Sequence, residues 1–153
     1  MPNIAVILAL NNANAEETSL LDEAGMANLL RAAFFARGTD RGSTALLIAL
    51  DHNAAYVNPN FQWFKERRSS FVYIDRVIVA QSSRGQGTGK KLYQDLFAAA
   101  KKAGHDRVVC EVNINPPNTV SEAFHASMGF TGIGEATILH GKKTVRYFEK
   151  ILK

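Results

Sequence analysis

Short apolar runs separated by polar turns dominate this chain and predict strands. Four runs are rich in β-branched, aromatic or leucine side chains: residues 4–10, 44–50, 71–79 and 108–112. A shorter run at 34–37 precedes a glycine-containing turn at 38–42. Two further runs, 136–139 and 144–151, flank a turn at 140–143 and predict a hairpin. Only Asp75 and Arg76 interrupt the run at 71–79, so we expect it to be buried on both faces of a sheet.

Three segments have a helical pattern. The clearest follows the run at 71–79, and Gly104 supplies its left-handed C-terminal cap. Its apolar positions are Leu92, Leu96, Ala99, Ala100 and Ala103. Residues 20–33 have a similar pattern that Gly25 weakens. Asn118 predicts the N-cap of a third helix, which ends at 127 or 128 before Gly129.

This order of elements predicts an α/β (mixed α+β) fold with a central, mixed, twisted sheet flanked by helices. The 153 residues suit a single domain, 1–153. The two helices that follow residues 71–79 and 108–112 are crossovers and predict parallel neighbours, whereas the hairpins predict antiparallel ones.

Residues 51–70 are the least regular part of the chain and leave two alternatives open. They are rich in aromatic residues, among them Tyr56, Phe61, Trp63 and Phe64. One alternative is a lid or substrate-recognition loop in which Trp63 contacts the substrate. The other is a short helix whose aromatic side chains cover the core.

A glycine-rich turn follows the run at 71–79: Arg84, Gly85, Gln86, Gly87, Thr88, Gly89 and Lys90. Glycines let a ligand approach the main-chain N–H groups, and the first turn of the next helix adds further donors, so a phosphate nest is predicted. The spacing differs from a nucleotide-triphosphate loop, because no Ser or Thr follows the lysines. It differs from a dinucleotide fingerprint, because the third glycine is displaced. A glycine-rich helix entry without a ligand is the structural alternative.

The charge of the chain is concentrated near this turn. The formal net charge is +4, and residues 84–107 hold six basic and two acidic residues, so the rest of the chain is balanced. A basic patch of that extent fits a phosphate-bearing cofactor better than a nucleic-acid track, and no apolar run is long enough to span a bilayer. We therefore expect neither nucleic acid nor a membrane as partner.

Composition adds three further expectations. The single cysteine, Cys110, excludes an intrachain disulfide and fits a reducing compartment, so a cytoplasmic location is expected. The run at 4–10 lacks a basic flank and a cleavage site, which favours a strand over a leader. No cluster of His, Cys or carboxylate residues has metal-ligand spacing, so no metal is expected.

Two motifs together resemble the GNAT superfamily of N-acetyltransferases. The first is the Arg84-x-x-Gly87-x-Gly89 pattern directly after a strand. The second is an Asn followed by an apolar helix and Gly-Phe, which here consists of Asn118, Phe124, His125, Met128, Gly129 and Phe130. The resemblance covers residues 71–130 and has the family's order.

This resemblance implies an acetyl-CoA-dependent N-acetyltransferase that transfers the acetyl group directly to a primary amine of a small molecule or a peptide. It implies that main-chain groups of Val77, Ile78 and Val79 lie along the cofactor arm, that residues 84–90 hold the pyrophosphate, and that Asn118 contacts the arm. The exposed edge of the C-terminal hairpin could pair with a second copy and form a homodimer.

The catalytic residues are less clearly marked. The family's usual thiolate acid is a Tyr at the position of His125, which could act as the acid or be only a polar neighbour of the cofactor. Asp75 is the first candidate for the base, because a charge within an apolar strand is costly unless it is paired or functional. Arg76 should point to the opposite face and so should not neutralise Asp75 directly. An ion pair of Asp75 with another basic residue, or a strand end open to water, is the structural alternative.

Glu111 is the second candidate for the base, and Tyr73 could line the same face as Asp75. Glu111, Tyr73 and Trp63 are thus the candidate substrate-binding residues. A non-catalytic acyl-CoA-binding or regulatory module, which has kept the cleft and lost the chemistry, is the alternative function.

Overall fold

The computed structural model describes residues 3–14, 21–115, 117–138 and 140–153. Its helices are α1 (Ile4–Ala13), α2 (Glu23–Ala32), α3 (Pro59–Lys65), α4 (Thr88–Lys102) and α5 (Thr119–Ser127). Its strands are β1 (Phe35–Thr39), β2 (Ala45–Asp51), β3 (Val72–Val79), β4 (Arg107–Asn115), β5 (Thr131–Ile138) and β6 (Lys143–Ile151). The strands form one mixed sheet in the order β1-β2-β3-β4-β6-β5, which confirms the predicted fold class.

The sheet separates two hydrophobic cores. On one face, α1, α2 and α3 pack with side chains such as Ile7, Met26 and Phe61 against the strands. On the other face, Leu92 and Leu96 of α4 pack against the strands, and Phe124 of α5 packs beside them. Burial of the sheet on both faces explains why β2 and β3 are nearly continuous apolar sequences.

The prediction of a strand at residues 4–10 is wrong, because this segment is helix α1. Asn3 caps the helix by accepting a hydrogen bond from the Val6 backbone N–H at 3.2 Å. The buried residues Ile7, Leu10 and Asn11 share one helical face, and a short run of apolar residues does not distinguish this spacing from a strand.

Only one of the two predicted parallel pairings occurs among the described strands. β3 and β4 are parallel neighbours, as the crossover through α4 predicts. The crossover through α5 does not produce a second such pair, because β6 lies between β4 and β5 and is antiparallel to both.

Several element boundaries differ from the sequence predictions. Helix α2 begins at Glu23, with Asp22 as its N-cap, rather than at residue 20. Strand β4 continues beyond residue 112, where the predicted strand ends, through Asn113 to Asn115. Residues 20 and 139, which belong to the predicted helix at 20–33 and the predicted strand at 136–139, fall outside the described residues.

Residues 51–70 contain the short helix α3, so the second alternative for this segment is confirmed. The Asn58 side chain accepts hydrogen bonds from the Asn60 and Phe61 backbone N–H groups, and Pro59 occupies the first turn. Phe61 and Phe64 are fully buried. The helix therefore covers the core and presents Asn60, at its beginning, to the centre of the sheet.

None of the helices in the described parts of the chain is both long enough and apolar enough to cross a bilayer.

Candidate functional site

The two parallel strands at the centre of the sheet diverge and leave an opening between them. Their paired residues are Val72 with Val108 and Tyr73 with Val109, at the beginning of each strand. Beyond Tyr73 strand β3 pairs only with β2, on its other side, so its remaining residues border a cleft. This edge offers main-chain groups to an extended ligand.

The glycine turn lies at the end of this cleft. Gly85 and Gly87 have φ values of +79° and +77°, which other residues rarely adopt, and no heavy atom lies within 4 Å of a Cβ built on either. Gly87 is the N-cap of α4, so the first N–H groups of this 15-residue helix point toward the open space. The turn is therefore shaped to bring an anion close to the backbone.

Most predicted cofactor-binding residues line this glycine-loop cleft, which has a volume of about 560 Å³. They are Val77, Val79, Arg84, Gly85, Gly87, Thr88, Gly89, Lys90 and Asn118. The side chain of Ile78 lies instead in the core on the other face, and Gln86 does not line the cleft. Arg84 donates from Nε to the Val79 carbonyl at 3.0 Å, which ties the turn to the end of β3.

A smaller cavity of about 130 Å³, here called the inner cavity, adjoins the glycine-loop cleft. Its polar lining includes Asp75, Arg76, Glu111 and Lys143. The residues that line both spaces are Val77, Tyr93, Asn118, Ser121 and His125. A molecule held in the cleft and one held in the inner cavity would therefore meet beside these five residues.

Glu111 lines the inner cavity and belongs to a hydrogen-bond network with Tyr73, Asn60 and Tyr147. Its Oε1 accepts hydrogen bonds from the Tyr73 hydroxyl at 2.7 Å and from Asn60 Nδ2 at 3.0 Å, and Tyr147 in turn donates to Asn60 Oδ1 at 2.8 Å. Burial raises the pKa of Glu111 to about 7, although the hydrogen bonds from Tyr73 and Asn60 oppose this effect. A carboxylate with this pKa changes its protonation state near neutral pH.

Asp75 is paired, contrary to the expectation that Arg76 would point away from it. Arg76 Nε donates to Asp75 Oδ2 at 2.6 Å, and Tyr56 donates to Oδ1. The pairing of β2 with β3 shifts register between Ile48 and Ala49, opposite Arg76 and Ile74, so Asp75 has no partner across the strands. This bulge interrupts the alternation of faces, which explains why neighbouring residues meet.

His125 is buried and occupied on both ring nitrogens. Nδ1 lies 2.7 Å from the Ser121 carbonyl oxygen, and Nε2 lies 2.7 Å from the Tyr93 hydroxyl. Burial lowers the pKa of His125 below its ordinary value, so the ring is neutral at pH 7. A neutral ring whose Nδ1 donates to a carbonyl has no proton on Nε2.

The two remaining predicted site residues have different locations. Tyr73 is fully buried and contacts Glu111, as described above, rather than lining the inner cavity. Trp63 also lies outside that cavity: its ring stacks on Tyr147 at 4.0 Å, and the Arg67 guanidinium lies 4.0 Å from its centre. Through its stacking on Tyr147, Trp63 therefore supports the hydrogen-bond network of Tyr147, Asn60 and Glu111.

Sequence patterns did not identify three residues of this site. Tyr93 shares the buried face of α4 with Leu96 and Ala100, a spacing that could have marked it as inward-facing. Asn60 gave no such signal, because its partner Glu111 is 51 residues away in the sequence. Lys143 follows a turn and resembles any solvated lysine until the fold brings it to the inner cavity.

Comparison with known proteins identifies one family and one sequence relative. A model of the Acetyltransferase (GNAT) family matches residues 10–130. A protein of Pseudomonas phage PaMx11 named 5-NmdU N-acetyltransferase is 38% identical over 58 residues. That match covers 38% of this chain and 38% of the phage protein.

Solved structures share the fold over almost the whole chain. Ard1 from Thermoplasma volcanium has a TM-score of 0.72 and 13% identity, with 99% of this chain and 94% of that chain covered. The NatC complex bound to Gag peptide and CoA has a TM-score of 0.71 and 16% identity, with 98% and 91% covered. At these identities the likeness concerns the fold alone.

Proposed function

This chain belongs to the GNAT acetyltransferase family, and we propose that it transfers the acetyl group of acetyl-CoA to a primary amine. The observation that carries the proposal is that the glycine-loop cleft and the cavity beside Glu111 share five lining residues. If the cleft ended elsewhere in the fold, the thioester of acetyl-CoA bound in it would not lie next to Glu111.

The residues of the glycine turn fit the pyrophosphate of acetyl-CoA. The open space at Gly85 and Gly87 leaves the backbone N–H groups accessible, and the N-terminus of α4 attracts negative charge. At Val77 and Val79 the edge of β3 has no strand partner on the β4 side, so it fits the amide groups of the cofactor arm, and Asn118 lies beside the same cleft. Bound there, acetyl-CoA would supply an activated acyl group.

We propose Glu111, rather than Asp75, as the base. Glu111 is partly exposed and lines the inner cavity, and its raised pKa allows it to accept a proton near neutral pH. The Asp75 side chain is only 2% exposed and is neutralised by Arg76. Glu111 would remove a proton from the incoming ammonium group, leaving the amine lone pair free to attack.

The acceptor is proposed to be a primary amine on a slender arm, of a small molecule or a peptide. The inner cavity of about 130 Å³ is too small for the body of such a molecule, so the remainder would stay outside. The name of the phage relative makes 5-NmdU the first acceptor to assay.

Pairing of two copies along the exposed edge strand β5 also stays a prediction.

A panel of primary amines that includes 5-NmdU, assayed for thiol released from acetyl-CoA, tests this function. Wild-type protein should release thiol with at least one amine. Glu111→Gln should lose about 100-fold or more in turnover, because the amide has the same shape but cannot accept the proton. Its affinity for acetyl-CoA should be unchanged, because Glu111 does not line the glycine-loop cleft.

Asp75→Asn is the matched variant at the other candidate carboxylate. It should keep most of the turnover measured per folded molecule. If Asp75→Asn loses turnover while Glu111→Gln keeps it, the base is Asp75. If the wild type binds acetyl-CoA and acetylates none of the amines, the proposal of amine transfer is wrong for that panel, and a binding module is favoured.

A further inference from the structure

A buried tyrosine lines both the cleft and the inner cavity, and its hydroxyl contacts His125, which also lines both. Tyr93 lies on α4, and its side chain lines both spaces although the residue is 1% exposed. Rings from three sides hold it: Phe124 lies 5.0 Å from its ring centre, His125 5.3 Å and Phe130 6.1 Å. The hydroxyl is therefore fixed in position rather than free to rotate into solvent.

The hydrogen bonds of His125 determine which partner supplies the proton between the two rings. The Ser121 carbonyl can only accept, so His125 Nδ1 carries the proton at the 2.7 Å contact. Nε2 of the neutral ring is then the acceptor at its 2.7 Å contact, and the Tyr93 hydroxyl is the donor. His125 therefore has no proton to give from Nε2.

We propose that Tyr93 is the catalytic acid that protonates the departing thiolate, and that His125 is a positioning residue that holds the Tyr93 hydroxyl. This inference rests on the proposed acetyl transfer. The hydroxyl that the family usually carries on the helix after Asn118 is thus supplied from α4. The pair of His125 and Tyr93 thus takes the place of the single tyrosine that the family usually has.

The protonation state of Tyr93 fits this role. Burial raises the pKa of the Tyr93 hydroxyl, with the nearby Cys110 and Glu111 adding to the effect, so the donor keeps its proton at neutral pH. Burial also raises the pKa of any thiolate in the same place, which favours proton transfer to sulfur.

The proton balance of the step is complete. Glu111 first takes one proton from the ammonium group. The amine nitrogen then forms a bond to the acetyl carbon and the carbon–sulfur bond breaks. The Tyr93 O–H rotates about its C–O bond away from His125 Nε2 and gives its proton to the sulfur. The nitrogen loses its second proton as the amide forms, and that proton restores the Tyr93 hydroxyl. The products are the amide, the thiol and one proton that Glu111 releases to solvent.

The first test measures the pKa of the CoA thiol bound to the protein, without turnover. The ultraviolet absorbance of the thiolate is followed against pH for CoA bound to wild type and to Tyr93→Phe. We expect a higher thiol pKa in Tyr93→Phe, because the variant lacks a hydroxyl to donate to the thiolate. An unchanged thiol pKa would overturn the inference.

The second test moves the hydroxyl to the other helix. Tyr93→Phe should lower acetyl transfer about 100-fold, with CoA affinity close to that of wild type. Its thermal midpoint should fall modestly, because the buried His125 Nε2 loses its donor. The double variant Tyr93→Phe, His125→Tyr should recover about tenfold or more, because it carries a phenol on α5 instead. Recovery would not occur if Tyr93 served only to pack the core.

His125→Gln is the control for the positioning role. Its side-chain oxygen can still accept from Tyr93, so it should keep at least one tenth of the wild-type turnover. Tyr93→Phe with turnover within threefold of an active wild type would refute the assignment of Tyr93 and leave the proposed acetyl transfer standing. An inactive wild type would instead refute the proposed function itself.

Discussion

The Tyr73 hydroxyl donates to both oxygens of the Glu111 carboxylate, with oxygen-to-oxygen distances of 2.7 and 2.9 Å. These hydrogen bonds favour the charged carboxylate and limit the rise in the pKa of Glu111 that burial causes. Burial thus raises the pKa of Glu111, and a residue on the neighbouring strand β3 opposes that rise.

Removing this hydroxyl should shift the pH dependence of acetyl transfer. The acidic limb of kcat/KM for the amine should lie near pH 7 in the wild type, because Glu111 must be deprotonated to act. Tyr73→Phe should move this limb to higher pH by about one pH unit. Tyr147→Phe is the control, because Tyr147 contacts Asn60 rather than Glu111 and should shift the limb less. If the acidic limb of Tyr73→Phe does not shift, Tyr73 does not influence the pKa of the base.

The same carboxyl should make stability depend on pH. Its pKa rises from an ordinary value of 4.5 to about 7 on folding, so between these values the folded protein holds a proton that the unfolded chain releases. The resulting contribution to the free energy of unfolding is complete below pH 4.5 and is lost as the pH rises through 7. Glu111→Gln should therefore gain stability relative to wild type between pH 5 and pH 8. Denaturant unfolding at both pH values measures this, and a constant difference would contradict it.

Asp75 should matter for stability more than for chemistry. Its ion pair with Arg76 is buried, with side-chain exposures of 2% and 6%, so Asp75→Asn leaves a buried cation without its counter-charge. We expect the free energy of unfolding to fall by about 3 kcal/mol. Asp95→Asn, which breaks ion pairs with the more exposed Arg37 and Lys91, should have a much smaller effect. Equal losses in the two variants would show that burial does not set the cost.

Trp63 should be sensitive to any side chain added at Gly134. A Cβ on Gly134 would lie 2.6 Å from Trp63 Cζ2, and the stacking of the indole on Tyr147 prevents it from moving away. Gly134→Ala should therefore destabilise the protein by about 2 kcal/mol. Fluorescence of this single tryptophan follows the unfolding. Gly132→Ala is the matched control, because its Cβ would lie 3.2 Å from the flexible Arg146 side chain and at an ordinary contact distance of 3.9 Å from Phe148. The account fails here if Gly134→Ala is as stable as Gly132→Ala.

The parts of the site that the sequence predicts are those that local patterns encode. The glycine turn and α4 are continuous in the chain, so the spacing of Gly85 and Gly87 and the apolar face of the helix are sufficient to predict them. The N-cap at Asn118 is equally local, since its side chain accepts from Ser121 N three residues later.

The parts that the sequence does not predict depend on contacts between distant segments. The bulge at Asp75 arises from its pairing with β2, and the contact of Asn60 with Glu111 joins α3 to β4. Helix α1 was predicted as a strand because a run of seven apolar residues fits either structure until the buried face is known. Tertiary context thus decides the hydrogen-bond network of Glu111, whereas local geometry decides the glycine-loop cleft.

Calorimetric titration with acetyl-CoA tests the central claim most directly, with ATP as the comparison ligand. Gly87→Glu should abolish acetyl-CoA binding, because its side chain would enter the open space at the turn. Gly104→Glu controls for backbone strain, because Gly104 also has a positive φ of +88° and open space but lies at the far end of α4. We predict binding of acetyl-CoA and not ATP to wild type and Gly104→Glu, with none to Gly87→Glu. A folded wild type that does not bind acetyl-CoA, or a Gly87→Glu variant that still binds it, would contradict the account.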